Sequence, residues 1–207
     1  MKGLLLVGGY SSRMKQDKGF LEWQGRPLFM HGMEQLRRVC DEDVFVSIRE
    51  EQADVMSAWL KGNTENIIKD RPPFVNMGPA SGILTAQSQH PSSTWFILAC
   101  DFPLCKEEAF EQIKSAFRPN LPFVSFVHSD GNPEPLFGIW SAQALYELQE
   151  NALKYKKTGP CYTLKQLIKT KRADPEQCLI SLKQEKWLFN TNTVEQWQEA
   201  EREVTAL

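Results

Sequence analysis

Two periods of apolar residues alternate along this chain. Short, nearly continuous apolar runs recur at Gly3-Leu4-Leu5-Leu6-Val7, Val44-Phe45-Val46-Ser47-Ile48, Asn66-Ile67-Ile68-Lys69 and Trp95-Phe96-Ile97-Leu98-Ala99. Runs of this length read as strands, and the last, which is apolar throughout, reads as a central strand covered on both faces. Between them the apolar residues recur every three to four positions. A helix is expected from Pro27, with Phe29, Met33, Leu36 and Cys40 on one face. Others are expected over 53–60, over 78–89 entered through Gly78-Pro79, and after residue 105, where Ala109, Phe110, Ile113 and Phe117 form the buried stripe. Strands alternating with helices predict an α/β domain with a mainly parallel sheet between two helical layers.

The second half continues less regularly. Strands are expected over 123–127 and 136–140, on either side of the turn Asp130-Gly131-Asn132-Pro133, then helices over 142–152 and 164–169 and a strand over 179–182. Thr193-Val194-Glu195-Gln196 has capping-box spacing and should open a last helix carrying Val194, Trp197 and Val204. No repeat, linker or change of composition divides the chain, so residues 1–207 are expected to form one domain.

Composition narrows the function. The 207 residues are 42% hydrophobic and 24% charged, with a net charge of −2. That balance gives no general field for capturing nucleic acid or an anionic membrane, so any anion site must be built locally. No apolar run approaches the ~20 residues of a membrane helix, and the N-terminal leucines meet Gly8-Gly9 too soon to form a signal-peptide core. Five cysteines (Cys40, Cys100, Cys105, Cys161 and Cys178) are odd in number, scattered and without a CxxC pair. This argues for a reducing, cytoplasmic setting and against a disulfide scaffold or zinc site.

The local anion site is expected at the end of the first strand. Gly8-Gly9 lets backbone N–H groups approach a ligand closely, and Arg13, Lys15 and Lys18 add charge within ten residues of it. Neither a Gly-Lys-Ser/Thr ending nor three spaced glycines follows, so the P-loop and dinucleotide patterns are excluded. In open parallel sheets ligands sit outside the carboxyl ends of the strands. There the chain places Gly8-Gly9, Ser47, Asp70 and Asp101. Asp101 follows the most apolar strand and would suit Mg²⁺ beside a nucleoside triphosphate, or else cap the next helix. Asp70 could accept from a base or ribose or simply end its strand, and Ser47 could be an ordinary strand serine.

The string Leu6-Val7-Gly8-Gly9, Ser11 or Ser12, Arg13-Met14-Lys15 and Asp17-Lys18 resembles the Leu-Ala-Gly-Gly…Arg-Met-Gly…Asp-Lys signature of nucleotidyltransferases. Farther on come Gly25-Arg26-Pro27-Leu28, Gly78-Pro79-Ala80-Ser81-Gly82, Ala99-Cys100-Asp101-Phe102-Pro103, Glu134-Pro135-Leu136-Phe137-Gly138 and Phe189-Asn190-Thr191-Asn192-Thr193. Together these resemble the molybdenum cofactor guanylyltransferases over nearly the whole chain. The resemblance implies a Rossmann-like three-layer α/β/α fold of the nucleotide-diphospho-sugar transferase type, with residues 1–105 binding the nucleotide and 106–207 the acceptor. It implies GTP, Mg²⁺ and molybdopterin, and as partners molybdopterin-handling proteins or recipient molybdoenzymes. Carried over by position, nucleotide contacts fall on Leu6, Val7, Gly8, Lys18, Ser47, Asp70 and Asp101, with Asp101 also holding the metal. Val7 stands where the family usually has Ala, Lys15 where it has Gly, and Ser47 where it often has Asn.

On this reading Gly8, Gly9, Arg13 and Lys18 hold the triphosphate, Arg13, Lys18 and Asp101 are catalytic, and Asn190 and Asn192 bind the acceptor or support the metal. An attacking phosphate monoester is already largely ionised at neutral pH, so no general base is required. From Asn151 to Arg172 the chain carries six Lys and one Arg (Lys154, Lys156, Lys157, Lys165, Lys169, Lys171, Arg172) and no acid. This is either a solvated face or a surface for the acceptor's phosphate or an acidic partner. The alternatives are a nucleotidyltransferase using CTP or another phosphorylated acceptor such as a sugar phosphate, and a nucleotide-binding module without catalysis.

Overall fold

The computed structural model describes residues 1–8, 17–61 and 64–205. Strand β1 (Lys2–Leu6) is followed by a hairpin of two short strands, β2 (Glu22–Trp23) and β3 (Arg26–Pro27), and by helix α1 (Leu28–Val39). Next come β4 (Val44–Ile48), α2 (Ala53–Trp59), β5 (Ile67–Lys69), α3 (Pro79–Gln89), β6 (Trp95–Ala99) and α4 (Glu107–Ala116). The second half holds β7 (Phe123–Val127), β8 (Pro133–Trp140), α5 (Ala142–Tyr155), α6 (Pro160–Lys169), α7 (Pro175–Cys178), β9 (Leu179–Ser181) and α8 (Val194–Thr205). The principal sheet has seven strands in the order β5-β4-β1-β6-β8-β7-β9. Strands β5, β4, β1 and β6 are parallel, while β8 runs antiparallel to both β6 and β7.

The two helical layers follow from strand geometry. Neighbouring residues of a strand face opposite sides of the sheet. On β1, Leu5 lies against Gly32 of α1 and Leu6 against Gly82 of α3, so these helices cover opposite faces. Helix α4 packs with α1, and α5 with α3 and α6. All five residues of β6 are buried, as its unbroken apolar run predicts for a central strand. The core between the layers is rich in aromatic rings, among them Trp95, Phe96, Phe110, Phe126, Phe137 and Trp140. A second, smaller cluster of Trp23, Leu28, Leu104, Trp197 and Ala200 ties α8 to the β2–β3 hairpin.

Some expected boundaries move. Pro27 is not the first helical residue: it pairs with Glu22 in β3, and α1 begins at Leu28. The turn from β2 to β3 has Gln24 and Gly25 both at positive φ (49° and 79°), which suits a two-residue hairpin loop. Strand β8 starts at Pro133 rather than 136, and as the first residue of the strand proline is tolerated although it has no N–H to give to the ladder. The capping box forms as its spacing predicts. Thr193 Oγ1 accepts from the Gln196 amide at 3.2 Å, and Gln196 Oε1 accepts from the Thr193 amide at 3.1 Å. Of the residues expected on α8, Trp197 is buried with Ala200 and Val204 packs against them, while Val194 is 47% exposed.

Candidate functional site

A cavity of about 430 Å³ opens at the carboxyl ends of the parallel strands. Leu6, Val7 and Gly8 line it from β1, Ser47 from β4, Asp70 from the end of β5, and Asp101 from the turn after β6. Lys18 and Asn192 complete one wall. Asn190 does not line the cavity, and its side chain acts on Asp101 in the sense that favours the ionised carboxylate. Gly9 and Arg13 lie outside the described residues.

Asp101 is held by the C-terminal segment as well as by its own strand. Its carbonyl accepts from the Thr191 amide at 3.1 Å, and Thr191 is fully buried. The carboxyl group is lifted above the ordinary aspartate range by burial, while Lys18 and the Asn190 side chain pull it back towards the ionised form. Lys18 Nζ lies 4.0 Å from Asp101 Oδ2 and donates to Asn192 Oδ1 at 2.6 Å. Residues far apart in sequence therefore meet at a single point. Asp101 Oδ1 is buried without a hydrogen-bond partner among the described residues. A buried carboxylate oxygen left unpaired is costly, and a cation is the partner that removes the cost. Among the described residues no three His, Cys, Asp or Glu cluster as a complete metal cage. A lone carboxylate fits Mg²⁺ nonetheless, since that ion takes one or two carboxylates and fills its remaining positions with phosphate oxygens and water.

The other end of the cavity differs in character. Asp70 is half-buried, and burial raises its pKa to about 6, against the pull of Arg49 and with a small push from Glu51. Ser47 is buried, with its hydroxyl directed at α3: a Cβ built on Gly82 would lie 2.0 Å from Ser47 Oγ. Glycine at 82 therefore lets the start of α3 approach the sheet. Asn76, Gly78, Pro79 and Ser81 lie along the same wall, and Ser81 Oγ accepts from the Met77 amide at 2.8 Å. A folded-state pKa above the unfolded value means that folding favours the protonated group. The associated stability is full below about pH 4 and is lost as pH rises through about 6. Asp70→Asn should therefore raise the melting temperature at pH 8, with the gain vanishing by pH 4. A difference that did not vary with pH would contradict this.

Val7, the larger residue where the resemblance leads one to expect Ala, is accommodated by Gly19. A Cβ at Gly19 would lie 2.4 Å from Val7 Cγ1. Valine is stiff at χ1, so it cannot easily turn aside. Gly19→Ala should cost about 1–3 kcal/mol by overpacking. Because Val7→Ala removes the clashing methyl, the double variant should recover most of that loss in denaturant titrations. Losses that simply add would refute the pairing.

Sequence reasoning missed Arg49. It lines the cavity, donates through Nη1 to the Gly8 carbonyl, and donates through Nη2 to Asp17 Oδ1 at 2.6 Å. The signal was available, because Arg49 directly follows β4 at the same sheet edge that singled out Asp70 and Asp101. All seven cations of the basic run are exposed, as expected of a solvated face. Lys154 pairs with Glu150 and Arg172 with Glu147, and none of the seven cations lines the cavity. The three histidines also stay outside it. His31 bonds the Trp23 carbonyl, His90 stacks near Phe45 and Trp95, and His128 pairs with Glu134.

A mainly parallel sheet with one antiparallel strand, and a cavity at its carboxyl edge holding a lysine and a buried aspartate, is the arrangement of nucleotidyltransferases. The chain belongs to the MobA-like NTP transferase domain family, whose pattern matches residues 3–174. A "Molybdenum cofactor biosynthesis bifunctional protein" from Synechocystis is 36% identical over 146 residues, covering 69% of this chain and 40% of that protein. This chain thus matches less than half the length of that relative. A "Probable molybdenum cofactor guanylyltransferase" from Bacillus licheniformis is 27% identical over 155 residues, covering 73% of this chain and 75% of the relative. The fold is shared with Archaeoglobus fulgidus molybdopterin-guanine dinucleotide biosynthesis protein A, with a TM-score of 0.73 and 23% identity over 100% of both chains. It is shared equally with a putative glucose-1-phosphate thymidylyltransferase from Bacillus anthracis, with a TM-score of 0.73 and 13% identity over 100% of this chain and 96% of that one.

Proposed function

We propose that this chain transfers GMP from GTP to the terminal phosphate of molybdopterin, forming molybdopterin guanine dinucleotide and releasing pyrophosphate. The observation that carries the reading is the meeting of Lys18, Asp101 and Asn192 at one end of a cavity that Gly8 also lines and whose other end holds Ser47 and Asp70. The names of the relatives supply the acceptor and the base.

In this reaction an acceptor phosphate oxygen attacks the α-phosphorus, and the bond to the β-phosphate oxygen breaks. The acceptor oxygen is already anionic, which agrees with a cavity that no histidine lines. Catalysis then rests on holding anions together and stabilising the departing charge. Lys18 supplies a fixed cation there, and the Gly8 and Gly9 amides and Arg13 are assigned to the same phosphates. Asp101 would hold Mg²⁺, which supplies Lewis-acid stabilisation to the phosphate oxygens when bound. Asn190 and Thr191 keep the Asp101 turn in place, and Asn192 faces the acceptor side. Asp70 and Ser47 lie at the end assigned to the nucleoside. Among the described residues no helix is long and apolar enough to cross a membrane.

Incubating the protein with Mg²⁺, each of the four nucleoside triphosphates and either molybdopterin or a sugar phosphate, while following pyrophosphate, tests the reading. Release with GTP and molybdopterin is expected. Release with CTP instead would move the assignment to cytidylyl transfer, and release only with a sugar phosphate would overturn the acceptor.

A further inference from the structure

We propose that Arg49 is a positioning residue for the phosphate end of the cavity: one guanidinium grips both the Gly8 carbonyl and the Asp17 carboxylate, fixing the Gly8 peptide and the Lys18 turn relative to each other. The inference rests on the nucleotide reading given above.

The geometry is specific to arginine. Nη1 donates to Gly8 and Nη2 to Asp17, so two separate donors of one planar fork serve two separate pieces of chain. The Arg49 side chain is only 19% exposed. Its base is fixed in turn. The Arg49 amide donates to Gln52 Oε1 at 3.0 Å, and Gln52 Nε2 donates to the Val7 carbonyl at 3.3 Å. Residues 49 and 52 thus hold successive carbonyls, Val7 and Gly8, where β1 runs out. Asp17 opens the one-turn helix Lys18–Phe20, yet its side chain makes no capping hydrogen bond. The carboxylate is used on Arg49 instead. The next residue, Lys18, reaches Asn192 and Asp101. Through Asp17, Arg49 therefore sets where the Lys18 ammonium stands, and through the Gly8 carbonyl it fixes the chain where β1 runs out.

A plain cation in the cavity wall would also favour a triphosphate, so the sign of the response at Asp17 decides between the two roles. If Arg49 acted only as a charge, Asp17→Ala would remove a nearby negative group and leave nucleotide binding unchanged or tighter. If Arg49 positions, Asp17→Ala must weaken binding although it makes the site more positive. Lysine at 49 keeps the charge and loses the fork.

The test is calorimetric titration of the full chain with GTP and Mg²⁺, together with steady-state pyrophosphate release. Arg49→Lys and Asp17→Ala should each weaken GTP binding about tenfold, the scale of one charge-assisted hydrogen bond. The double variant should be no weaker than either single one. KM for GTP should rise by a similar factor and kcat should fall with it, because Lys18 faces the departing charge, while the thermal melt of Asp17→Ala stays at the wild-type temperature, a combination that general loss of structure would not produce. Asp17 is partly exposed, so its variant reports even where Arg49→Lys does not fold. GTP binding by Asp17→Ala as tight as wild type overturns the inference alone. A wild-type chain that takes up none of the four nucleoside triphosphates overturns the nucleotide reading beneath it.

Discussion

Asp101→Asn is expected to lower turnover by at least about 10²-fold, the loss that follows removal of one strong electrostatic contact from a reacting centre, while leaving the protein as stable as before or more so. The two halves of this expectation come from the same fact. Burial makes the ionised carboxylate unfavourable in the folded chain, and Lys18 and Asn190 offset this only in part. Oδ1 meanwhile has no partner among the described residues. Asparagine is nearly isosteric, carries no charge to desolvate and keeps an oxygen for Asn190. Stability therefore should not fall. Catalysis should, because a neutral amide is a poor ligand for a hard divalent cation. Pyrophosphate release assayed with saturating GTP and Mg²⁺, beside a thermal melt, checks both. Near-normal release would remove Asp101 from the mechanism. A large drop in melting temperature would show that the carboxylate serves the fold instead. Opposed changes in activity and stability are what a functional site held at a cost to the fold should display.

How much of this was legible in the sequence depended on where the information lay. Nearly continuous apolar runs marked the four parallel strands, most clearly β6, because a strand buried on both faces has no polar side to show. Strand ends then pointed to Gly8, Ser47, Asp70 and Asp101, and the cavity does gather them. The β2–β3 hairpin was illegible for a physical reason. Its strands have two residues each, and its Gln24-Gly25 turn is a weaker signal than Asn-Gly, although both residues take the same left-handed backbone. Arg49 was legible only by its place directly after β4; what it does there depends on its contacts with Gly8 and Asp17 from distant parts of the chain, which no local pattern shows. Asn190 and Asn192 looked equivalent in Asn190-Thr191-Asn192 but face different ways. One acts on Asp101 without lining the cavity, and the other meets Lys18 in it.

Trp197 links the fold to the site, and Trp197→Ala should cost about 3 kcal/mol, the low end for truncating a buried aromatic residue. Its ring meets Trp23 edge-on with centroids 5.3 Å apart, and its Nε1 donates to Glu201 Oε1 at 2.9 Å. Leu104 in the same cluster lies just beyond Asp101, and Thr191 bonds the Asp101 carbonyl just before α8 begins. Loosening α8 should therefore release Thr191 and Asn192 as well. If the whole domain responds, the melting temperature should fall by roughly 6–12 °C for a chain of this size. If α8 opens alone, a separate early transition should appear. In either case turnover measured well below the melt should drop, because Asn192 no longer holds Lys18. Trp197→Phe keeps most of the apolar ring and should restore most of both quantities. A Trp197→Ala protein with an unshifted melt and normal turnover would mean that the C-terminal helix rests on the domain without bracing Asp101.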